Sequence, residues 1–364
     1  MVISNKPLKF ILVALVAILP FVSFANPTEE KEATSTESTD VKSEIKEFIN
    51  HHLLDAHDFT FNADKESGEH NGFSLPIILW DNGLQVFSSG EFHHGEKVVA
   101  NNGAFYTLHH GKIYKTNKAG HLRMHGEHPA NYKPLDLSIT KNVLSLFIGS
   151  FILLVVMLST SLYYKRNGAV APRGIAKFIE PLIVYVRDEI VKPNIHGDKH
   201  TRYIGFITTV FFFILVNNLL GMIPVFPGGA NLTGNISVTL FLAVCTLLVT
   251  VFSGNKNYWK HIFATPGVPW ALLPIMIPIE LVGIFTKPFA LMIRLFANMT
   301  AGHIIVLSLI SIIFINKSEA WGLLSVPMAL FISVLEILVA FLQAYLFASL
   351  SALFIGAAVE EDHH

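Results

Sequence analysis

The chain has 364 residues, of which 52% are hydrophobic and only 15% charged, with a formal net charge of −1. Soluble domains carry about 25% charged residues, so a single soluble globule is excluded. The one cysteine, Cys245, sits in an apolar run, which excludes a disulfide framework, and the near-neutral balance gives no hint of nucleic acid as a partner.

The charges are unevenly placed. Residues 26–140 hold 17 of the 27 acidic residues, 10 of the 26 basic ones and 11 of the 17 histidines. Before them, Met1–Ala25 carries Lys6 and Lys9, an apolar run Phe10–Pro20 and then Ser23-Phe24-Ala25. That is the layout of a secretory signal peptide, and the run is short for a membrane span, which needs about 20 apolar residues. Residues 1–25 are therefore expected to be a signal peptide. Residues 26–140 are expected to be a His-rich extracytoplasmic domain with its linker.

Within that domain, Glu29–Asp40 reads as a flexible linker and Val41–Leu54 as a short amphipathic helix. Phe73–Trp80 and Leu84–Phe87 flank Asp81-Asn82-Gly83, and Asn-Gly suits the twist of a hairpin. Ala104–Leu108 and Lys112–Lys115 around His110-Gly111 form a weaker second hairpin. The histidines invite a metal reading, since His121, His125 and His128 have helical spacing. Gly126 and Pro129 argue against that helix, no cysteine supports a site, and no His-Glu-x-x-His occurs. The domain reads as a solvated extension with no metal and no cofactor.

Beyond residue 140 the chain is mostly apolar. The first span is about Val143–Leu162. The loop Tyr163–Tyr203 that follows holds eight bases, Lys165, Arg166, Arg173, Lys177, Arg187, Lys192, Lys199 and Arg202, and this marks the cytoplasmic side. Inside the loop, Ile175–Ile190 reads as an amphipathic helix lying on the membrane. Residues 141–203 thus form a first membrane helix plus a cytoplasmic segment, and residues 204–364 a membrane core.

Further spans are expected at about Ile204–Ile223 and Ile236–Phe252, then at Trp270–Ile315 and Leu323–Ala358. A straight helix over Trp270–Ile315 is about 70 Å long against a hydrocarbon core near 30 Å, so it must tilt, bend or break. Pro274, Pro288 and Pro278 offer bending points. The fold expected is mainly α. It is a polytopic membrane protein with five crossings, the last two forming a long tilted helical hairpin, preceded by a small strand-containing extracytoplasmic domain.

The last two spans contain residues that an apolar helix does not need. Glu280, Lys287 and Arg294 are seven apart, and each step of seven drifts only about 20°, so an unbroken helix places them on one stripe. Asn298 extends it. Arg294 lies among Leu291, Met292, Ile293, Leu295 and Phe296. A guanidinium stays charged, and at mid-bilayer it costs between about 3 and more than about 10 kcal/mol unless it has a partner or a wet cavity. On the last span Glu336 and Gln343 are again seven apart, with Ser333 one turn earlier, while His303 sits beside Ile304 and Ile305. A carboxylate and an imidazole at such positions suggest a proton relay. Lys287 and Glu280 fit a structural ion pair and the wall of a polar entrance equally well.

Two segments, KPFALMIRLFANMTAGHI (Lys287–Ile304) and LEILVAFLQAYLF (Leu335–Phe347), resemble subunit a of the F-type ATP synthase. NNLLGMIP (Asn217–Pro224) and NISVTLFLA (Asn235–Ala243) resemble its second and third spans. The resemblance covers about residues 200–360 and leaves the His-rich domain outside it.

It implies a non-catalytic stator subunit with two half-channels that pass protons to and from carboxylates of the rotating ring of subunit c. Its partners would be that c-ring, the subunit b peripheral stalk and the lipid bilayer of a bacterial inner membrane. The N-terminal domain would be periplasmic and the C-terminus cytoplasmic. Arg294 matches the arginine facing the ring carboxylate. Asn298 and Gln343 match half-channel polar residues, and Glu280 a half-channel carboxylate. The best-known bacterial pattern has an acid where this chain has His303 and a histidine where it has Glu336, as if the pair were exchanged. Lys287, Asn218 and Ser333 complete the candidate set. A secondary transporter would need internal symmetry that the sequence lacks. An intramembrane metal hydrolase would need more ligands than His303 and Glu336.

Overall fold

The computed structural model describes residues 55–360, apart from 64–69, 96, 126–127, 169, 224–227, 264–268, 270–271 and 316–318. The expected signal peptide, linker and amphipathic helix of residues 41–54 lie outside the described residues. The chain divides into two compact units that meet in sequence near Leu144 and Ser145.

The first unit is built from short antiparallel strands. β1 (Asp58–Ala63) pairs with β2 (His70–Ser74). β3 (Pro76–Trp80) and β4 (Leu84–Ser88) form the first expected hairpin, and β10 (Leu135–Asp136) adds to the other edge of β3. Asn82 takes φ 52° and Gly83 φ 130°, the left-handed region this three-residue turn requires. β5 (Val99–Asn101), β6 (Ala104–His109) and β7 (Lys112–Thr116) make the second sheet, which contains the second expected hairpin. Ile77, Leu79, Phe92, Tyr106 and Ile113, each at most 1% exposed, fill the space between the sheets.

The segment holding His125 and His128 is not helical. β8 (Met124–His125) pairs with β9 (His128–Pro129), so the helical face that would have aligned three imidazoles does not form. Among the described residues no group of three His, Cys, Asp or Glu converges on a metal position.

Two carboxylates, buried Asp81 and half-buried Asp136, cross-link the unit. Asp81 accepts from Lys115 Nζ at 2.7 Å and from the Tyr106 hydroxyl at 2.9 Å. The Lys115 hydrogen bond outweighs burial and, with Tyr106, holds the Asp81 carboxyl below its ordinary value. Burial and then Asp81 push the Tyr106 phenol up to about 12. Asp136 meets His57 Nε2 at 2.8 Å. Burial alone would raise its pKa, but His57 and Ser138 together bring it below the usual range. A carboxyl depressed by folding stabilises fully above its unfolded pKa, near 3.9, and that contribution disappears as pH falls through the folded value. Amide protection factors in β3, β4, β6 and β7, taken relative to the intrinsic exchange rate at each pH, are therefore expected to fall on acidification below about pH 4. Asp81→Asn is expected to cost about 1–3 kcal/mol at neutral pH by leaving buried donors short of a charged acceptor. Unchanged exchange in that variant would contradict the cross-link.

The second unit is helical. α1 (Lys141–Asn167) carries the first span. α2 (Ala176–Tyr185) continues as a π-helical turn, Val186–Val191, and then to Asn194. α3 (His200–Met222), α4 (Ile236–Ser253), the short α5 (Lys256–Phe263), α6 (Leu273–Ile315) and α7 (Gly322–Val359) follow. Five of these helices are long and apolar enough to cross a membrane, as expected.

The helix expected over Ile175–Ile190 is present. The apolar side chains of its second half, Val186, Ile190 and Val191, are fully buried, and the π-helical turn packs on α3 and α7. α6 is one continuous helix of 43 residues, about 65 Å long. Pro274 lies in its first turn, where a missing N–H costs nothing, and Pro278 and Pro288 lie inside it. The core lies where α3, α6 and α7 meet. Ala340, Ala344, Ala348 and Ala352 recur at four-residue steps on α7, all fully buried, and let neighbouring backbones approach closely.

Candidate functional site

α6 and α7 form an antiparallel hairpin whose register can be read from three contacts. Ile313 lies against Gly322 near the turn, Gly302 against Glu336 further down, and Lys287 over the ring of Phe354 near the open end, 5.6 Å from its centroid. Arg294 lies between the last two contacts, roughly level with the turn of α7 just past Gln343.

Because α6 does not break at Pro288, Glu280, Lys287, Arg294 and Asn298 do share a stripe, as the seven-residue spacing predicts. Leu291, Leu295 and Met299, at four-residue steps, turn into the core. That leaves Arg294 and Asn298 on the exposed flank of the helix. Among the described residues no carboxylate forms an ion pair with Arg294. Of the adjoining exposed positions Ala290, Ala297 and Ala301 are small and Phe289 and Ile293 large, so a second helix could come close to the guanidinium along the alanine side.

On the far side of Arg294, towards the hairpin turn, polar groups gather from several elements. The Glu336 carboxylate rests on Gly302, and a Cβ at that position would overlap it. Glu336 Oε1 is buried without a hydrogen-bond partner among the described residues. His303, the residue after Gly302, is half-buried. Gln343, 2% exposed, lies two turns along α7 from Glu336. Ser333 is turned back on its own helix, donating to Ala329 O at 3.0 Å.

Towards the same end lies a cluster that the sequence reading barely touched. Asn218, fully buried, accepts from Thr233 Oγ1 at 2.6 Å. Asn217 donates to Phe213 O at 2.7 Å, while its Oδ1 faces Gly149 of α1 and has no hydrogen-bond partner among the described residues. Thr300 of α6 donates to Gly234 O at 3.4 Å and joins this cluster to the hairpin. An Asn-Asn pair inside an apolar helix was the one available signal.

On the near side of Arg294, towards the open end of the hairpin, a second polar group forms. Thr246, Thr250, Tyr258 and Lys287 line a cavity of about 20 Å³, enough for one water molecule. Thr246 and Ser351 share a hydrogen bond of 3.2 Å. Burial and then the nearby charge of Glu280 push the Tyr258 phenol up, which places half-buried Glu280 beside this group. Glu280 and Lys287 are not an ion pair here, so that reading of their spacing is not realised. At this end too, Lys199 Nζ and Asn255 Nδ2 both donate to Val359 O, at 2.9 and 2.7 Å, and close the C-terminus of α7.

The arrangement is therefore one fixed cation on an exposed flank, with a polar group on each side of it along the hairpin. Neither group runs past Arg294 as a continuous hydrogen-bonded chain among the described residues.

The model of the family described as ATP synthase A chain matches residues 144–356. A second model, described as Domain of unknown function (DUF8433), matches residues 48–137. The chain is 50% identical over 237 residues to ATP synthase subunit a 2 of Chlorobaculum tepidum, an alignment covering 63% of this chain and 66% of that protein. It is 50% identical over 236 residues to ATP synthase subunit a 2 of Prosthecochloris aestuarii, covering 63% and 71%. It is 46% identical over 237 residues to ATP synthase subunit a of Myxococcus xanthus, covering 63% and 76%. The alignment thus spans about two thirds of the length of the first of these relatives. The family match, the five membrane-length helices and the arginine-centred hairpin agree: the chain belongs to the family of F-type ATP synthase subunit a.

Proposed function

We propose that this chain is the stator subunit of a rotary ATP synthase, passing protons to and from carboxylates on a ring of subunit c. The observation that carries this reading is Arg294, exposed and without a carboxylate partner among the described residues on a membrane helix, with a separate polar group on either side. A guanidinium facing lipid is costly, so its flank needs a partner that supplies negative charge. A ring helix bearing a carboxylate meets that need, and the row of alanines gives it room.

The eight bases over Tyr163–Tyr203, from the end of α1 to the start of α3, support a cytoplasmic open end of the hairpin. The group containing Asn218, Thr300, His303 and Glu336 then opens outward, and the group containing Glu280, Lys287 and Tyr258 opens inward. A proton entering from outside reaches Glu336 and His303, passes Asn298 and Gln343, and neutralises a ring carboxylate, which can then turn into lipid. A carboxylate arriving from the other side is drawn to Arg294 and gives its proton to the inner group. Arg294 repels cations and so closes the direct route. Each charge moved through 100 mV yields about 2.3 kcal/mol, so several transfers must be summed for each ATP. The chain itself makes no bond and needs no cofactor. A stalk of subunit b holds it against the ring, with its N-terminal domain in the periplasm.

Glu336→Gln keeps the shape of the side chain and removes its proton exchange. Coupled proton flux in reconstituted vesicles is expected to fall severalfold with the complex intact. Unaltered flux would remove Glu336 from the route.

A further inference from the structure

The first unit carries an apolar face that its own core does not use. In the sheet of β10, β3 and β4, Trp80 pairs with both Leu84 and Leu135, and Ile78 pairs with Val86. Leu137 N donates to Ile78 O at 2.8 Å and extends the row. Alternation along the strands puts Ile78, Trp80, Leu84, Val86, Leu135 and Leu137 on one face, opposite the core residues Ile77, Leu79 and Phe87. Trp80, Leu84 and Val86 are each 56% exposed, and Leu135 and Leu137 46% and 45%. None of these side chains is charged. An exposed apolar area on the order of several hundred Å² marks an interaction surface.

Two observations identify what covers it. The first is the tether. Only three residues lie between Leu137 and Lys141, where α1 begins, a path of at most about 14 Å. It is not a loose path. Lys141 N donates to Ala56 O at 2.8 Å, and Asn142 N to Asp55 Oδ1 at 3.0 Å, so the first residues of α1 are held to the segment just before β1. The second is composition. Tryptophan favours the membrane–water boundary, and the exposed Lys133 flanking β10 suits anionic headgroups.

We propose that this sheet face rests on the outer leaflet of the bilayer beside the entry point of α1, making the first unit a membrane-apposed rather than a freely solvated domain. The claim concerns the N-terminal domain alone and does not depend on the ion route.

The test uses the full chain in its assembled complex, in phosphatidylcholine–phosphatidylglycerol vesicles. Val86→Cys and, separately, Leu84→Cys carry a nitroxide in a Cys245→Ala background, with Lys118→Cys on an exposed turn as reference. Collision rates with oxygen, which concentrates in lipid, and with a nickel chelate, which stays in water, are compared. At positions 86 and 84 oxygen collisions are expected to exceed nickel collisions, the reverse of position 118. Nickel collisions as frequent as at 118 would mean a bare face and overturn the proposal. Protection from both reagents at both sites would mean a protein cover, either another subunit or residues 41–54, and would overturn it equally. Two labelled sites keep the result readable if one substitution disturbs folding.

Discussion

Arg294→Lys is expected to abolish coupled proton transfer although it keeps a positive side chain. Lysine carries its charge as a compact ammonium that loses its proton when desolvated, whereas a guanidinium stays protonated at any ordinary pH. The planar fork also lets arginine hold both oxygens of an incoming carboxylate. Arg294 sits on an apolar flank beside Phe289 and Ile293, exposed by 58% and 40% respectively, where water is scarce once a partner covers it. A drop of at least about tenfold in ATP-driven pumping is expected, which needs a loss of only about 1.4 kcal/mol at the transfer step. Normal ATP synthesis by the lysine variant would show that charge alone suffices.

The second large effect is expected at a residue with no chemistry of its own. Gly302→Ala places a methyl group where the Glu336 carboxylate now lies. The overlapping atom is the end of a flexible side chain, so the carboxylate swings away from its present position while the two helices stay packed. Coupled flux is expected to fall severalfold, about as far as for Glu336→Gln. Shortening the acid should give back part of the loss, so Gly302→Ala with Glu336→Asp should pump better than Gly302→Ala alone. Such non-additivity is the signature of residues in contact. Additive losses in the double variant would mean that Gly302 acts through helix packing and not through Glu336.

The contrast between Arg294 and Gly302 shows what could be read without coordinates. Arg294, Glu336 and His303 stood out because ionisable groups among apolar neighbours are expensive and therefore rare. The five spans and the first hairpin were legible for similar reasons, through length, hydropathy and an Asn-Gly turn. The function of Gly302 depends on a side chain 34 residues away and leaves no local trace. Thr246, Thr250 and Ser351 were missed because helical hydroxyls bond readily to carbonyls of their own helix, as Thr250 does to Thr246 O at 2.8 Å. They look the same in sequence whether or not they line a polar route. β1, β5 and β10 escaped notice as short edge elements without a turn signal. The prolines of α6 suggested bends, yet the helix runs through them. Within packed membrane helices, neighbours re-satisfy the backbone groups that proline frees. The amphipathic pattern of Ile175–Ile190 was read correctly as helical, but an apolar face cannot tell lipid from a neighbouring helix, and part of it is buried against α3 and α7.

The N-terminal domain illustrates the opposite case. Its many histidines drew attention to metal chemistry, and the spacing of His121, His125 and His128 counts only if the segment is helical. It is not. The domain is cross-linked instead by buried Asp81 and half-buried Asp136, held by Lys115 and His57 respectively. Asp55, which accepts from Asn142 N in the first turn of α1, carries no motif.

The central claim is that Arg294 lies at the coupling step between two separate proton routes. It is tested most directly by ATP-driven proton pumping in inverted membrane vesicles, comparing the native chain with Arg294→Ala at equal amounts of assembled complex. Loss of pumping in the variant, with the complex intact, is the predicted result. Retained pumping would make the arginine structural and contradict the account.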